Sequence, residues 1–270
     1  MSQILIIGAG AMGEAIIAGL INSGTAPSSI SILEKREDRS KEICAQYGVS
    51  ELANLSGPGE LSGFTAIFLI VKPQDLATSV IEISDHISEE TLLISLAAGK
   101  KIAGIEAGLN GKKVPVIRVM PNTPALVGEG MAAISGGTYC AEKDLALAEK
   151  LLNGTGKVIS VEEHLQDAVT AVSGSGPAYF FLIIEAMVAA GIELGLTPED
   201  AHQLSIQTIY GAATMLRDSG KTPTTLRENV TSPNGTTAAA LKTLNESGIH
   251  EIFSAALLAA RDRSRELAQG

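Results

Sequence analysis

The feature that most narrows the fold is the run Gly8-Ala-Gly-Ala-Met-Gly13, which follows an apolar stretch at 3–7 and opens a helix-length segment at 11–22. A G-x-G-x-x-G between strand and helix is the turn on which an open α/β sheet holds a dinucleotide. Gly8 permits the tight turn, Gly10 lets backbone approach a pyrophosphate, and Gly13 lets helix and strand pack closely. The helix start contributes unpaired N–H groups and the positive end of its dipole. A glycine-rich turn in an unrelated α/β protein is the plainer alternative, but the position directly after a strand favours the nucleotide.

Further short apolar runs at 30–34, 66–71, 91–96 and 115–119 alternate with helix-length segments near 37–47, 74–85 and 100–109. That alternation predicts a parallel sheet with helices on both faces, completed by a helix near 141–152 and a strand near 156–160. Beyond 160 helical periodicity takes over, at 163–173, 177–195, 198–218, 236–246 and 250–268. Thr197-Pro-Glu-Asp200 is a strong helix start, with a hydroxyl cap, proline in the first turn and acids at the positive dipole end. The boundary therefore falls at 160/161, with 1–160 the dinucleotide-binding domain and 161–270 a helical one.

Composition limits the partners. A net charge of −10 and a pI near 4.9 disfavour nucleic acid and anionic membrane. Pro177 to Leu196 is apolar enough to raise a membrane question, but it carries Glu185 and Glu193 and is expected to be buried in protein, as at a subunit interface. Cys44 and Cys140 lie far apart and the four histidines are scattered, so no disulfide and no metal site is expected, and a reducing cytoplasm fits. The chain starts without a basic or cleavable leader pattern.

Polar and turn residues then gather at the carboxyl ends of the predicted strands. Glu34 ends the second strand, where an acid would bind a ribose 2′-hydroxyl and favour NAD. Lys35 and Arg36 follow at once and would suit a 2′-phosphate, so spacing leaves the two cofactors open. Val71-Lys-Pro-Gln74, Ser95-Leu-Ala-Ala-Gly99 and Arg118-Val-Met-Pro-Asn-Thr-Pro124 close the next three strands on the edge where open sheets bind ligands. In the helical half, Ser173-Gly-Ser-Gly-Pro177 and Ser232-Pro-Asn-Gly-Thr-Thr237 set hydroxyls and N–H groups beside helix starts, which suits a small carboxylate. A kink and an N-cap are the bland readings of those two loops.

Taken in order, GAGAMG, VKPQ, SLAAG, RVMPNTPALVGEGM, AVSGSGPAYFF and VTSPNGTTAAAL resemble pyrroline-5-carboxylate reductase along nearly the whole chain. AVSGSGPAYFF and VTSPNGTT are far more specific to that family than the glycine fingerprint. The resemblance implies an N-terminal Rossmann domain, an all-helical C-terminal dimerisation domain, and a homodimer or a decamer built from dimers. It further implies reduction of Δ1-pyrroline-5-carboxylate to L-proline, with NADP(H) and possibly NAD(H).

Carried onto this chain, the cofactor residues are Ile7, Gly8, Gly10, Ala11, Met12, Gly13, Glu34, Lys35, Arg36, Val71, Lys72, Pro73, Ala97, Ala98, Gly99 and Asn122. Ser173, Gly174, Ser175, Gly176, Pro177, Ser232, Asn234, Gly235, Thr236 and Thr237 would hold the imino acid, with Thr237 near the ring nitrogen as the catalytic hydroxyl. The family's usual second glycine is Asn234 here, a residue that tolerates left-handed backbone. A β-hydroxyacid dehydrogenase is the rival enzyme, but no lysine stands between Lys157 and Lys221, where its catalytic base belongs. A sensor that binds dinucleotide without turnover is the non-enzymatic rival.

Overall fold

A computed structural model describes residues 3–55, 57 and 59–268. Strands β1 (Ile4–Ile7), β2 (Ile30–Leu33), β3 (Ser50–Glu51), β4 (Ala66–Leu69), β5 (Leu92–Ser95), β6 (Val116–Met120), β7 (Gly130–Gly136) and β8 (Gly156–Ser160) form one sheet. Its order is β3-β2-β1-β4-β5-β6-β7-β8. The first six run parallel, β7 pairs antiparallel with β6, and β8 runs parallel with β7. Sequence order reverses at β1, which pairs on one side with β2 and on the other with β4. Ligands bind in open sheets at that reversal, outside the carboxyl ends of the strands.

Both faces of the central strands β1, β4 and β5 are buried, which is why these strands read as apolar runs. Ile4 and Ile6 point into one core with Ile16, Ile17 and Leu20 of helix α1 (Ala11–Asn22) and Ile43 of α2 (Glu37–Tyr47). Leu5 and Ile7 point into the other, with Val80 and Ile83 of α3 (Leu76–Ser84) and Ile102 and Ile105 of α4 (Ile102–Ala107). Side chains alternate faces along a strand, so a two-sided core needs every residue apolar. Helix α5 (Glu142–Leu152) adds Ala148, Leu151 and Leu152 to the first core.

The alternating pattern thus appears as read, with two strands that sequence did not single out, the two-residue β3 and the longer β7. β7, Gly-Met-Ala-Ala-Ile-Ser-Gly, has one β-branched residue. It is a strand because β6 and β8 flank it, which no local propensity announces.

Beyond β8 come α6 (Gln166–Val169), α7 (Gly176–Glu193), α8 (Pro198–Asp218), α9 (Pro223–Asn229), α10 (Thr236–Glu246) and α11 (Ile249–Leu267). Thr197 caps α8 as read, accepting a hydrogen bond from the Asp200 N–H at 3.1 Å. Helix α9, capped in the same way by Thr222, is the helix that periodicity did not single out.

Contacts divide the chain into two compact units, 1–175 with 260–270, and 176–259. Within the second unit α7 packs on α8. Gly191 lies there against Ala201, close enough that a Cβ on the glycine would meet the Ala201 Cβ at 3.2 Å. Apart from that contact the unit's apolar residues are half-buried or exposed. Among the described residues Ala201 is the one buried hydrophobic of 176–259, while Phe181 is 62% exposed and Leu182 65%. Burial of 177–196, expected from sequence, is not provided by this single chain.

Candidate active site

The glycine turn joins β1 to α1 under severe steric limits. Gly8 has φ +96°, and a Cβ there would stand 2.3 Å from the Ile70 carbonyl oxygen, just beyond β4. A Cβ on Gly13 would stand 2.2 Å from the Gly8 carbonyl oxygen. Gly10 differs, since nothing among the described residues lies within 4 Å of its would-be Cβ. Two glycines thus let the turn close, and the third leaves open room beside the α1 start. Gly10 is also the N-cap and provides no side-chain acceptor, so the first-turn N–H groups of Ala11 and Met12 have no cap. These features fit a pyrophosphate.

The Ala9 peptide of this turn is gripped from both sides. Its N–H donates to Glu34 Oε2 at 2.8 Å, and its carbonyl accepts from Arg39 Nε at 2.9 Å. Arg39, on α2, also pairs with Glu42 at 2.7 Å and with Glu14 of α1. Glu14 further accepts from the Tyr47 hydroxyl at 2.9 Å. The Arg39 hydrogen bond holds the Glu14 carboxyl below its ordinary range despite partial burial. Sequence reasoning did not single out Arg39, because nothing in its local context marks a side chain that reaches a turn thirty positions earlier.

Glu34 is held rather than free. Burial pushes its carboxyl up, but the Ala9 and Arg36 N–H groups and the Arg36 guanidinium outweigh burial and hold it below the usual carboxylate range. Its Oε1 accepts from the Arg36 N–H at 3.1 Å and from Arg36 Nε at 3.2 Å. The Arg36 side chain stays 59% exposed, and Lys35 is exposed. Acid and cations, opposed when read from spacing, thus stand together at one strand end.

Three more strand ends bring the other expected cofactor residues to the same edge. Past β4, Val71 and Pro73 are half-buried and Lys72 is exposed, with the Asp75 N–H closing a turn onto the Lys72 carbonyl at 2.9 Å. Past β5, Ala97 is buried, Ala98 exposed, and Gly99 takes φ +72°. Past β6, Asn122 accepts from the Met131 N–H at 2.9 Å and donates to the Ser173 carbonyl and hydroxyl, both at 3.3 Å. Its amide therefore fixes where Ser173 stands.

Ser173 ends a widened turn. Thr170–Gly174 is a π-helical turn, with the Ser175 N–H reaching back to the Thr170 carbonyl at 2.8 Å. The glycines and proline break helical periodicity in sequence, yet the backbone stays helical by taking one extra residue into the turn, a feature frequent at functional sites. Ser173, Gly174 and Ser175 belong to the first unit, and Gly176 and Pro177 start the second.

Ser232, Asn234, Gly235, Thr236 and Thr237 lie in the second unit, at the start of α10. Asn234 takes φ +58°, the left-handed conformation that its replacement of a glycine requires. The cap of α10 is Gly235, with no side-chain hydrogen bond, so neither threonine is spent as an N-cap. The half-buried Thr237 hydroxyl has no hydrogen-bond partner among the described residues. This is a second helix start with open N–H groups and a free hydroxyl beside them.

Residues 163–267 match the family described as pyrroline-5-carboxylate reductase dimerisation, and residues 3–99 match NADP oxidoreductase coenzyme F420-dependent. The pyrroline-5-carboxylate reductase of Corynebacterium melassecola is 41% identical, covering 99% of each chain. Among solved structures, a pyrroline-5-carboxylate reductase from Coxiella burnetii superposes with a TM-score of 0.93 at 37% identity, over 99% of this chain and 98% of that one. The Plasmodium falciparum pyrroline carboxylate reductase, solved with NADP bound, gives a TM-score of 0.83 at 27% identity over 99% and 98%.

Proposed function

The chain belongs to the pyrroline-5-carboxylate reductase family, and from that premise we propose that it reduces Δ1-pyrroline-5-carboxylate to L-proline, the last step of proline biosynthesis, with NADP(H) and secondarily NAD(H). The observation carrying this reading is the pair of helix starts, at Gly10 and Gly235, that lack side-chain caps and stand beside turns only glycine or asparagine tolerates. One suits a pyrophosphate and the other a small carboxylate with a ring nitrogen nearby.

The cofactor would be held by Ile7–Gly8, Gly10–Gly13, Glu34–Arg36, Val71–Pro73, Ala97–Gly99 and Asn122. When bound, the reduced nicotinamide supplies a hydride to the carbon of the imine bond. Arg36, exposed at the end of β2, would meet a 2′-phosphate, and Glu34, while holding the Ala9 and Arg36 N–H groups, a 2′-hydroxyl. The first-turn N–H groups of Thr236 and Thr237 would take the substrate carboxylate, the Ser175 and Gly235 N–H groups being bonded to the Thr170 and Ser232 carbonyls, and Ser173, Gly174, Gly176, Pro177, Ser232 and Asn234 are the other residues expected to contact it. The Thr237 hydroxyl donates to the ring nitrogen, where the proton must reside as the double bond is reduced. Holding the reactants in register supplies roughly 7–11 kcal/mol of the barrier reduction, so no strong general base is needed.

Residues 1–160 serve as the dinucleotide domain and 161–270 as the substrate and dimerisation domain. A second copy of the chain covers the open apolar faces of α7 and α8, giving a homodimer, or a decamer built from such dimers, in the cytoplasm without membrane or nucleic acid. Steady NADPH oxidation on adding pyrroline-5-carboxylate to purified protein tests the reading, and dinucleotide binding without turnover would end it. Replacing Thr237 by Ala should lower kcat by about 10²-fold, the lower end of a proton-transfer contribution, and leave dinucleotide affinity in place.

A further inference from the structure

We propose that the first unit carries a second anion site, distinct from both helix starts, that binds a small oxyanion against Arg118. A cavity of about 410 Å³ is lined by Lys101, Arg118, Glu163, His164, Asp167 and Arg265, none of them assigned to cofactor or imino acid. Arg118 stands on β6 between Ile117 and Val119, where a cation is out of place, and its side chain is only 6% exposed.

The guanidinium is poorly served by the protein. Its Nη1 lies 3.4 Å from Glu163 Oε1, a long contact to an oxygen that already accepts the Ile102 N–H at 2.7 Å. Its Nη2 is buried with no hydrogen-bond partner among the described residues. Leaving donors of a buried charge unmet is costly, and native structures rarely keep such a group without an occupant. The other acid is also committed, since Asp167 takes the Ser264 hydroxyl at 2.7 Å while Arg265 stands 3.8 Å away. Among the described residues, three cations therefore face two carboxylates whose shortest bonds go elsewhere, in a chain of net charge −10. A guanidinium fork matches two oxygens of one anion, and Lys101 and Arg265 add charge around it.

The volume exceeds that of a monatomic ion and suits a phosphate or a short carboxylate with attendant water. An occupant would tie the segment after β5, through Lys101, to β6 and to the end of α11. The site does not depend on the reductase reading.

Calorimetric titration of the full-length protein, saturated with NADPH, with inorganic phosphate and separately with succinate tests the proposal. One equivalent per chain should bind, and Arg118→Gln should weaken it by at least about tenfold, as loss of one charge-assisted bond does. Should Arg118→Gln fail to fold, the double variant Lys101→Ala with Arg265→Ala reads the same loss, because it leaves the buried side chain in place. Binding of one anion but not the other identifies its class and supports the site. No binding of either, or equal affinity in parent and variants, overturns it, the latter assigning the anion to a helix start.

Discussion

The two units of this chain solve the burial problem in opposite ways. The sheet unit closes its core within a single copy: Leu5, Ile6, Ile32, Phe68 and Ile94 are fully buried between strands and flanking helices. The helical unit leaves Phe180, Phe181, Leu182 and Tyr210 more than half exposed, and the two phenylalanines line a groove with Ile184, Val188, Ile192 and Ile206. Each segment is rich in apolar residues, so hydrophobicity does not separate them. Topology does, because strands bring their own neighbours, whereas long helices with few internal contacts require a partner's. The sheet unit is accordingly expected to fold as an independent core, and the helical unit to depend on assembly.

Phe181→Glu breaks that comparison most severely. A charge in the middle of the helical face should dissociate the assembly, seen as a smaller species by sedimentation, with activity falling in step. Truncating one such aromatic costs about 3–5 kcal/mol when its site is buried, and a charge costs more. If the variant sediments like the parent, the face is not the interface.

Gly8→Ala against Gly10→Ala sharpens the sheet side. The first forces a side chain into φ +96° and onto the Ile70 carbonyl, and should lower stability by about 2–4 kcal/mol in thermal or urea unfolding. The second meets open space and should leave stability within about 0.5 kcal/mol while dinucleotide binding is lost. Equal destabilisation by both would refute the division of labour among the glycines.

A smaller effect resides in Glu34. Its folded carboxyl is held below the ordinary value, so it contributes stability that is fully present above about pH 5 and lost as pH falls through the lowered folded value. Glu34→Gln should flatten that acid dependence, leaving the parent's extra loss below about pH 4 as the difference between two thermal-shift profiles. Superimposable profiles would remove the Ala9 grip from the stability account.

The smallest predicted change is in the second unit. Thr197→Ala removes the α8 cap and should cost about 1 kcal/mol in the assembled protein.

Legibility in the sequence followed how local each cause was. The Gly8–Gly13 turn, the α8 cap at Thr197 and the unbroken apolar strands were readable, because sterics, capping and two-sided burial act within a few residues. Strand β7 and helix α9 were not, since an alanine-rich strand owes its state to its neighbours and a seven-residue helix leaves little period to count. Arg39 escaped notice because it acts across the α2–β1 gap, and Arg118, quoted only within the stretch around the end of β6, was not marked out by itself because it is unusual only for where β6 runs.

By itself, then, the order of residues determined a dinucleotide turn, a parallel sheet, a helical second half and the family, all of which rest on short-range patterns or strings of motifs. Tertiary structure alone decided that Glu34 grips Ala9, that Gly10 faces open space, that α7 stays exposed and that a guanidinium is buried half-paired. Those outcomes depend on distances between segments far apart in the chain, and no local preference encodes such distances.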